Sequence, residues 1–135
     1  MRRTRRAARR DTMFLVPKRL LIIEDEPTIG RALARIFEKE GYAVDVARTH
    51  ADSLTFQEEY QCGVFDIELP DSDGVDLAAT LRARGVVKEI VFFSGMNDGK
   101  SEARARARGV YVHKSEGLTR LRNVVAALLG AAGGG

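Results

Sequence analysis

The sequence is poor in the residues and segments that build disulfide scaffolds, membrane spans and secretory signals. Its single cysteine, Cys62, cannot form an internal disulfide, and its position in an apolar run favours a buried structural thiol. No apolar stretch approaches the ~18 residues of a membrane span, and no long apolar segment follows the basic N-terminus, as a secretory signal requires. With 135 residues, 44% of them hydrophobic, the sequence predicts one globular domain in the reducing cytoplasm.

Positive charge is concentrated at the N-terminus. Residues 1–19 contain eight Lys or Arg and one acid, Asp11, so they carry +7 of a chain whose net charge is +3, and the remainder carries −4. We interpret residues 1–18 as a basic, flexible extension, residues 19–130 as the folded domain and residues 131–135 as a disordered tail. Two alternatives stay open for the extension, namely contact with nucleic acid and a true translation start at Met13.

From residue 19 onward, short apolar runs alternate with segments of helical periodicity. The runs RLLII, YAVDVA, CGVFD, EIVFFS and VYVHK predict five buried strands. Pro27 suits the first turn of the first helix, Thr49 predicts the cap of a second helix that reaches about Tyr60, and Gly85 ends the third. Because strands alternate with helices, the predicted fold class is α/β, with a doubly wound, mostly parallel sheet covered on both faces.

Polar side chains stand where the predicted strands end. They are Glu24, Asp25 and Glu26 after the first strand, Asp66 after the third, Ser94 after the fourth and Lys114 after the fifth. Carboxyl ends of parallel strands meet at one edge of a sheet, so these groups are predicted to converge. Clustered carboxylates need a cation, and oxygen ligands favour Mg²⁺. Such a site predicts that Asp66 attacks a phosphoryl group while Lys114 neutralises charge and Ser94 donates a hydrogen bond.

The segments IIEDE, FDIELPDSDG, FFSG and YVHK together resemble the receiver domain of two-component response regulators, over about residues 19–130. The resemblance implies a flavodoxin-like (βα)5 fold with five parallel strands in the order 2-1-3-4-5. It implies that Asp66 is the phosphoacceptor, that Ser94 and Lys114 contact the phosphoryl group, and that Ser94 and Tyr111 are switch residues. The Mg²⁺ ligands that it implies are Glu24, Asp25, Asp66 and the backbone carbonyl of Glu68.

The same resemblance implies partners and an activity. The phosphoryl donor would be a histidine kinase or a phosphotransfer protein, and a downstream protein would bind the surface of the fourth helix, fifth strand and fifth helix. Arg104, Arg106 and Arg108 form a basic cluster there, which is either a solvated face or part of that surface. We therefore expect a stand-alone, chemotaxis-regulator-like receiver that is a phosphoacceptor rather than an enzyme, with at most self-phosphorylation and self-dephosphorylation.

Three residues differ from the usual receiver pattern. Glu24 stands where aspartate is common, Glu68 adds a negative side chain beside the phosphoacceptor, and Ser115 replaces a proline that usually follows a cis peptide bond. These differences keep open a phosphorylation-independent interaction module with the same fold. An aspartate-nucleophile phosphatase is a further alternative, although Glu68 stands where those enzymes have a second aspartate.

The two histidines and Tyr111 have simpler interpretations. His113 has no second histidine near it in the sequence, so we predict a structural role rather than metal binding, and His50 is predicted to be solvated. Tyr111 is equally consistent with a packing role and with a switch role.

Overall fold

Five parallel strands form the sheet that the alternating sequence pattern predicts. The computed structural model describes residues 16–130, so the predictions made for residues 1–15 and 131–135 lie outside the described residues. The strands are β1 (Arg19–Ile23), β2 (Ala43–Ala47), β3 (Tyr60–Phe65), β4 (Val87–Ser94) and β5 (Val110–His113). All neighbouring pairs are parallel and their order is β2-β1-β3-β4-β5. The predicted fold class and strand order are therefore confirmed.

Within residues 16–130, four helices connect successive strands, and a fifth follows β5. They are α1 (Pro27–Lys39), α2 (His50–Ser53), α3 (Gly74–Ala83), α4 (Gly99–Arg106) and α5 (Leu118–Leu129), with a 3-10 turn at Lys114–Glu116. Pro27 begins α1 as predicted, where the amide that proline lacks would have no helical partner. Gly85 follows the end of α3 with φ of 78°, a left-handed conformation that favours glycine.

The prediction that the second helix reaches about Tyr60 is wrong. Thr49 does cap α2, and its hydroxyl accepts the amide of Asp52 at 3.0 Å, but the helix has only four residues. The hydroxyls of Ser53 and Thr55 each donate to a backbone carbonyl of this turn at 2.7 Å, which competes with continued helical bonding. Tyr60 belongs to β3, because tertiary pairing with β4 overrides the local helical pattern.

Both faces of the sheet are buried, as the continuous apolar strands predict. In β1, Leu21 and Ile23 join the core on one face, while Leu20 and Ile22 join the core on the other. Cys62 is fully buried, and this burial raises the pKa of its thiol. Among residues 16–130, none of the helices is both long enough and apolar enough to span a bilayer. Because the helices cover both faces, the open edge at the strands' carboxyl ends is where polar groups gather.

Candidate functional site

Four of the predicted site residues converge at this edge of the sheet. Glu24 directly follows β1 and Asp66 directly follows β3, its hydrogen-bonded neighbour. One oxygen from each of Glu24, Asp25 and Asp66 lies within 4.8 Å of the others. The Nζ atom of Lys114 lies 3.0 Å from Glu24 Oε1 and 3.2 Å from Asp66 Oδ2. Segments that are distant in sequence thus bring three carboxylates and one ammonium into a single cluster.

Burial and charge determine the protonation of this cluster. Glu24 is only 2% exposed, and this burial raises the pKa of its carboxyl. The hydrogen bond from Lys114 lowers that pKa in part, and the charge of Asp66 raises it further. Burial alone would lower the pKa of Lys114, but the hydrogen bond to Glu24 and the charge of Asp66 outweigh it and the pKa is raised. Lys114 therefore stays charged, and one ammonium does not fully compensate the carboxylates that surround it.

The carboxylate cluster fits a hydrated magnesium ion. Its donors are all oxygens, which Mg²⁺ prefers, and three carboxylates share one nearby ammonium, that of Lys114, so a further cation would balance the charge. Asp25 is only partly buried, so the cluster is open to solvent on that side. A pocket of about 300 Å³ adjoins it, large enough for the waters that Mg²⁺ usually keeps. The pocket is lined by Asp25, Arg48, Thr49, Asp52 and Pro70.

The loop after β3 holds its shape through backbone contacts. Glu68 and Asp73 form an isolated antiparallel bridge, and the amide of Gly74 donates to the carbonyl of Ile67 at 2.7 Å. A Cβ atom at Gly74 would lie 1.9 Å from the carbonyl oxygen of Asp66, so only glycine lets α3 begin this close to the strand end. The side chain of Glu68 is exposed, and the metal role of its carbonyl stays a prediction.

Ser94 and Tyr111 meet at the loop between β4 and α4. The hydroxyl of Ser94, which ends β4, accepts the amide of Met96 at 3.2 Å, and the hydroxyl of Tyr111 donates to the carbonyl of Met96 at 3.0 Å. Tyr111 is 6% exposed, and its ring centroid lies 5.3 Å from the Arg106 guanidinium. Among the hydrogen bonds of residues 16–130, none joins either hydroxyl to Asp66. The structure thus places both side chains on one loop, and their switch roles stay predictions.

Of the three arginines expected on α4, Arg104 and Arg106 are paired with acids, whereas Arg108 lies beyond the helix, which ends at Arg106. Arg104 contacts Asp73 at 2.9 Å and Asp76 at 2.8 Å, which ties α4 to the start of α3. Arg106 contacts Glu102, one turn earlier on α4, at 2.8 Å. Much of the positive charge that the sequence places on this helix is therefore neutralised by neighbouring acids.

Both histidines make contacts that no local sequence pattern predicts. His50, predicted to be solvated, is partly buried: its Nδ1 lies 2.7 Å from Ser72 Oγ and its amide donates to Asp71 at 2.9 Å. The ring of His113 contacts Ser115 on one side and Asn97 on the other. The Asp and Ser residues of the LPDSDG loop are frequent capping groups, which is the one local signal for the His50 contact.

Comparison with known proteins adds an independent line of support. A sequence profile described as the response regulator receiver domain matches residues 20–126. An uncharacterized transcriptional regulatory protein of Bacillus subtilis (strain 168), YbdJ, is 32% identical over 112 residues, which cover 79% of this chain and 50% of that protein. The transcriptional regulatory protein TorR of the torCAD operon from Escherichia coli (strain K12) is 33% identical over 85 residues, or 62% of this chain and 36% of TorR. The chain thus spans half or less of the length of these relatives.

Solved structures agree with the sequence matches. The response regulator TrrA from Thermotoga maritima, crystallised in complex with Mg²⁺ and beryllofluoride, is 29% identical with a TM-score of 0.73, over 83% of this chain and 99% of TrrA. A CheY-like response regulator receiver domain from Methanospirillum hungatei JF-1 is 27% identical with a TM-score of 0.71, over 84% of this chain and 94% of that one.

Proposed function

Because the chain belongs to the response regulator receiver domain family, we propose that it accepts a phosphoryl group on Asp66 in two-component signalling. The observation that carries this proposal is the position of the Asp66 carboxylate, 3.2 Å from the Lys114 ammonium and clustered with the carboxylates of Glu24 and Asp25. A nucleophile beside a cation, with a further cation site next to it, is the arrangement that phosphoryl transfer needs.

The donor in this proposal is the phosphohistidine of a histidine kinase or a phosphotransfer protein. Lys114 contacts Oδ2 of Asp66, so we assign Oδ1 as the attacking atom. As the Oδ1–P bond forms, the P–N bond breaks and its electron pair returns to the donor imidazole, which leaves an aspartyl phosphate. The Lys114 ammonium can then also contact the phosphoryl oxygens. When bound at Glu24, Asp25 and Asp66, Mg²⁺ would neutralise negative charge on the carboxylates and on the phosphoryl group, which otherwise repel one another.

Signal output in this proposal passes through the loop between β4 and α4. A phosphoryl group on Asp66 would attract the Ser94 hydroxyl, which now accepts the amide of Met96. Since Tyr111 also binds Met96, a change at Ser94 would alter the packing of Tyr111 and so the surface of α4, β5 and α5. The chain would act as a phosphoacceptor that changes its affinity for a downstream protein, rather than as an enzyme with an external substrate.

Intact-mass measurement after incubation with acetyl phosphate and Mg²⁺ tests the central step. We expect the parent to gain the mass of one phosphoryl group and Asp66→Asn to gain none. Asp76→Asn is the matched control, because that aspartate is exposed on α3 and away from the cluster, and it should behave as the parent. No gain in a folded parent, or an equal gain in Asp66→Asn, would refute the assignment.

Beryllofluoride binding separates this proposal from the phosphorylation-independent interaction module. Beryllofluoride imitates a phosphoryl group on a carboxylate, so Mg²⁺-dependent binding that disappears in Asp66→Asn is expected. A parent that neither binds beryllofluoride nor reacts with acetyl phosphate would favour the interaction module.

A further inference from the structure

The ring of His113 bridges the loop that carries Lys114 and the loop that leads from Ser94 to α4. Its Nδ1 atom lies 3.1 Å from the backbone nitrogen and 2.8 Å from the hydroxyl of Ser115. Its Nε2 atom lies 2.9 Å from Oδ1 of Asn97, which is sixteen residues away in sequence. Both ring nitrogens are therefore engaged, each with a different loop.

The partners of the ring determine its tautomer. A backbone amide can only donate, so Nδ1 must accept the amide of Ser115. A neutral imidazole has one accepting and one donating nitrogen, so the ring proton is on Nε2 and is donated to Oδ1 of Asn97. A proline at position 115 would have no amide to give, so this contact requires a residue other than proline there.

Lys114 lies between His113 and Ser115, the two residues that the Nδ1 contact joins. On the other side of the turn, Oε2 of Glu116 accepts the amide of His113 at 2.9 Å, so the side chains of His113 and Glu116 close the 3-10 turn from both ends. The backbone on either side of Lys114 is thereby fixed. A long, freely rotating side chain reaches the carboxylates of Glu24 and Asp66 more often when its backbone cannot move.

Asn97 connects this turn to the loop after β4. It lies between Met96, which binds both Ser94 and Tyr111, and Asp98, whose carboxylate accepts the amide of Lys100 at 3.0 Å and caps α4. The hydrogen bond between Asn97 and the His113 ring therefore links this loop to the turn that carries Lys114.

We propose that His113 is a positioning residue for Lys114, which holds the ammonium on Glu24 and Asp66 by tying its turn to Asn97. The consequence for phosphoryl transfer rests on the proposed function, while the bridge and its effect on Lys114 do not. If the ring merely capped a turn, its contact with Asn97 would have no effect on the Lys114 ammonium.

Two substitutions separate the two ends of the ring. In His113→Asn the side-chain oxygen takes the place of Nδ1 and can still accept the amide of Ser115, but it is too short to reach Asn97. Asn97→Ala removes the same contact from the other side and leaves the ring intact. Asn123→Ala is the matched control, since that asparagine is exposed on α5.

Nuclear magnetic resonance tests the bridge without any phosphorylation. At pH 8 we expect the His113 ring nitrogens to show Nδ1 without a proton and Nε2 protonated, as the hydrogen bonds from Ser115 and to Asn97 require. The Lys114 ammonium signal, which is visible only while an ion pair slows its proton exchange, should be present in the parent and Asn123→Ala. It should be lost or broadened in His113→Asn and Asn97→Ala. The opposite tautomer, or an ammonium signal unchanged in both variants, would overturn the proposal.

Phosphorylation by acetyl phosphate gives the second measurement. We expect the phosphorylation rate to fall roughly 10-fold in His113→Asn and in Asn97→Ala. The double variant should show no further fall, because each of the three variants lacks the same hydrogen bond between His113 and Asn97. Rates within twofold of the parent, or effects that add in the double variant, would contradict the positioning role. If the parent itself is not phosphorylated, the proposed function fails, and the tautomer and the ammonium signal still decide this inference.

Discussion

Replacing Gly74 with alanine tests how closely α3 must approach the phosphoacceptor. The new Cβ atom would lie 1.9 Å from the carbonyl oxygen of Asp66, 2.9 Å from its carbonyl carbon and 3.0 Å from Cα of Ile67. All three neighbours are backbone atoms, so none can rotate away. The start of α3 and the end of β3 must instead separate by about 1.5 Å, to bring the oxygen to the 3.4 Å of ordinary contact.

This separation has a predictable cost. Overpacking of a buried site destabilises by about 1–3 kcal/mol, and the movement also stretches the 2.7 Å hydrogen bond from Gly74 to Ile67, worth about 1 kcal/mol. We therefore expect Gly74→Ala to lower the free energy of unfolding by about 2–4 kcal/mol. It should also weaken Mg²⁺ binding, because Asp66 moves with the end of its strand.

Urea unfolding followed by circular dichroism measures both effects. Gly99→Ala is the matched control, because a Cβ atom there has no neighbour within 4 Å and its free energy should stay within about 0.5 kcal/mol of the parent. Added Mg²⁺ should raise the unfolding midpoint of the parent and of Gly99→Ala, since a ligand that binds only the folded state stabilises it, and should raise that of Gly74→Ala less. A Gly74→Ala protein as stable as the parent, with an unchanged urea dependence, would refute the reasoning.

Three further predictions use the same unfolding measurement. Lys114→Met should lower the free energy of unfolding in the absence of Mg²⁺ by roughly 2 kcal/mol, which is less than for a fully buried ion pair because Lys114 is partly exposed. Added Mg²⁺ should stabilise this variant more than it stabilises the parent. Burial and the hydrogen bond to Asp45 raise the pKa of Tyr60 to about 12. The stability that Tyr60 contributes is therefore complete below pH ~10 and is lost as the pH rises through 12. Tyr60→Phe should accordingly lose less free energy of unfolding than the parent at alkaline pH. The amide of His50 holds the pKa of Asp71 below its usual 3.8; Asp71→Asn should be less stable than the parent at pH 7, and the difference should vanish as the pH falls below 3.8, or the assignment is wrong.

The order of strands and helices, and the residues at the strand ends, could be read from the sequence. Apolar runs rich in β-branched residues indicate strands because each run has two faces to bury, and Pro27 and Gly85 mark helix ends through the backbone conformations that they permit. Glu24, Asp66 and Lys114 could be grouped from sequence for a similar reason. In a parallel sheet, being last in a strand is enough to place a residue at the shared edge.

Contacts that depend on how loops pack were outside the reach of local patterns. The helical pattern from Thr49 to about Tyr60 gave way to one turn, because Tyr60 pairs with β4. The His113 bridge to Asn97 and the pairing of Arg104 with Asp73 each join residues on different elements.

The sequence by itself therefore determined which elements form and which chemical groups reach the site, because periodicity, caps and strand ends are properties of neighbouring residues. Only the tertiary structure decided which group each side chain contacts, how deeply Glu24 is buried and how close Gly74 comes to Asp66. These follow from the distances between packed elements, and no stretch of sequence encodes such a distance locally.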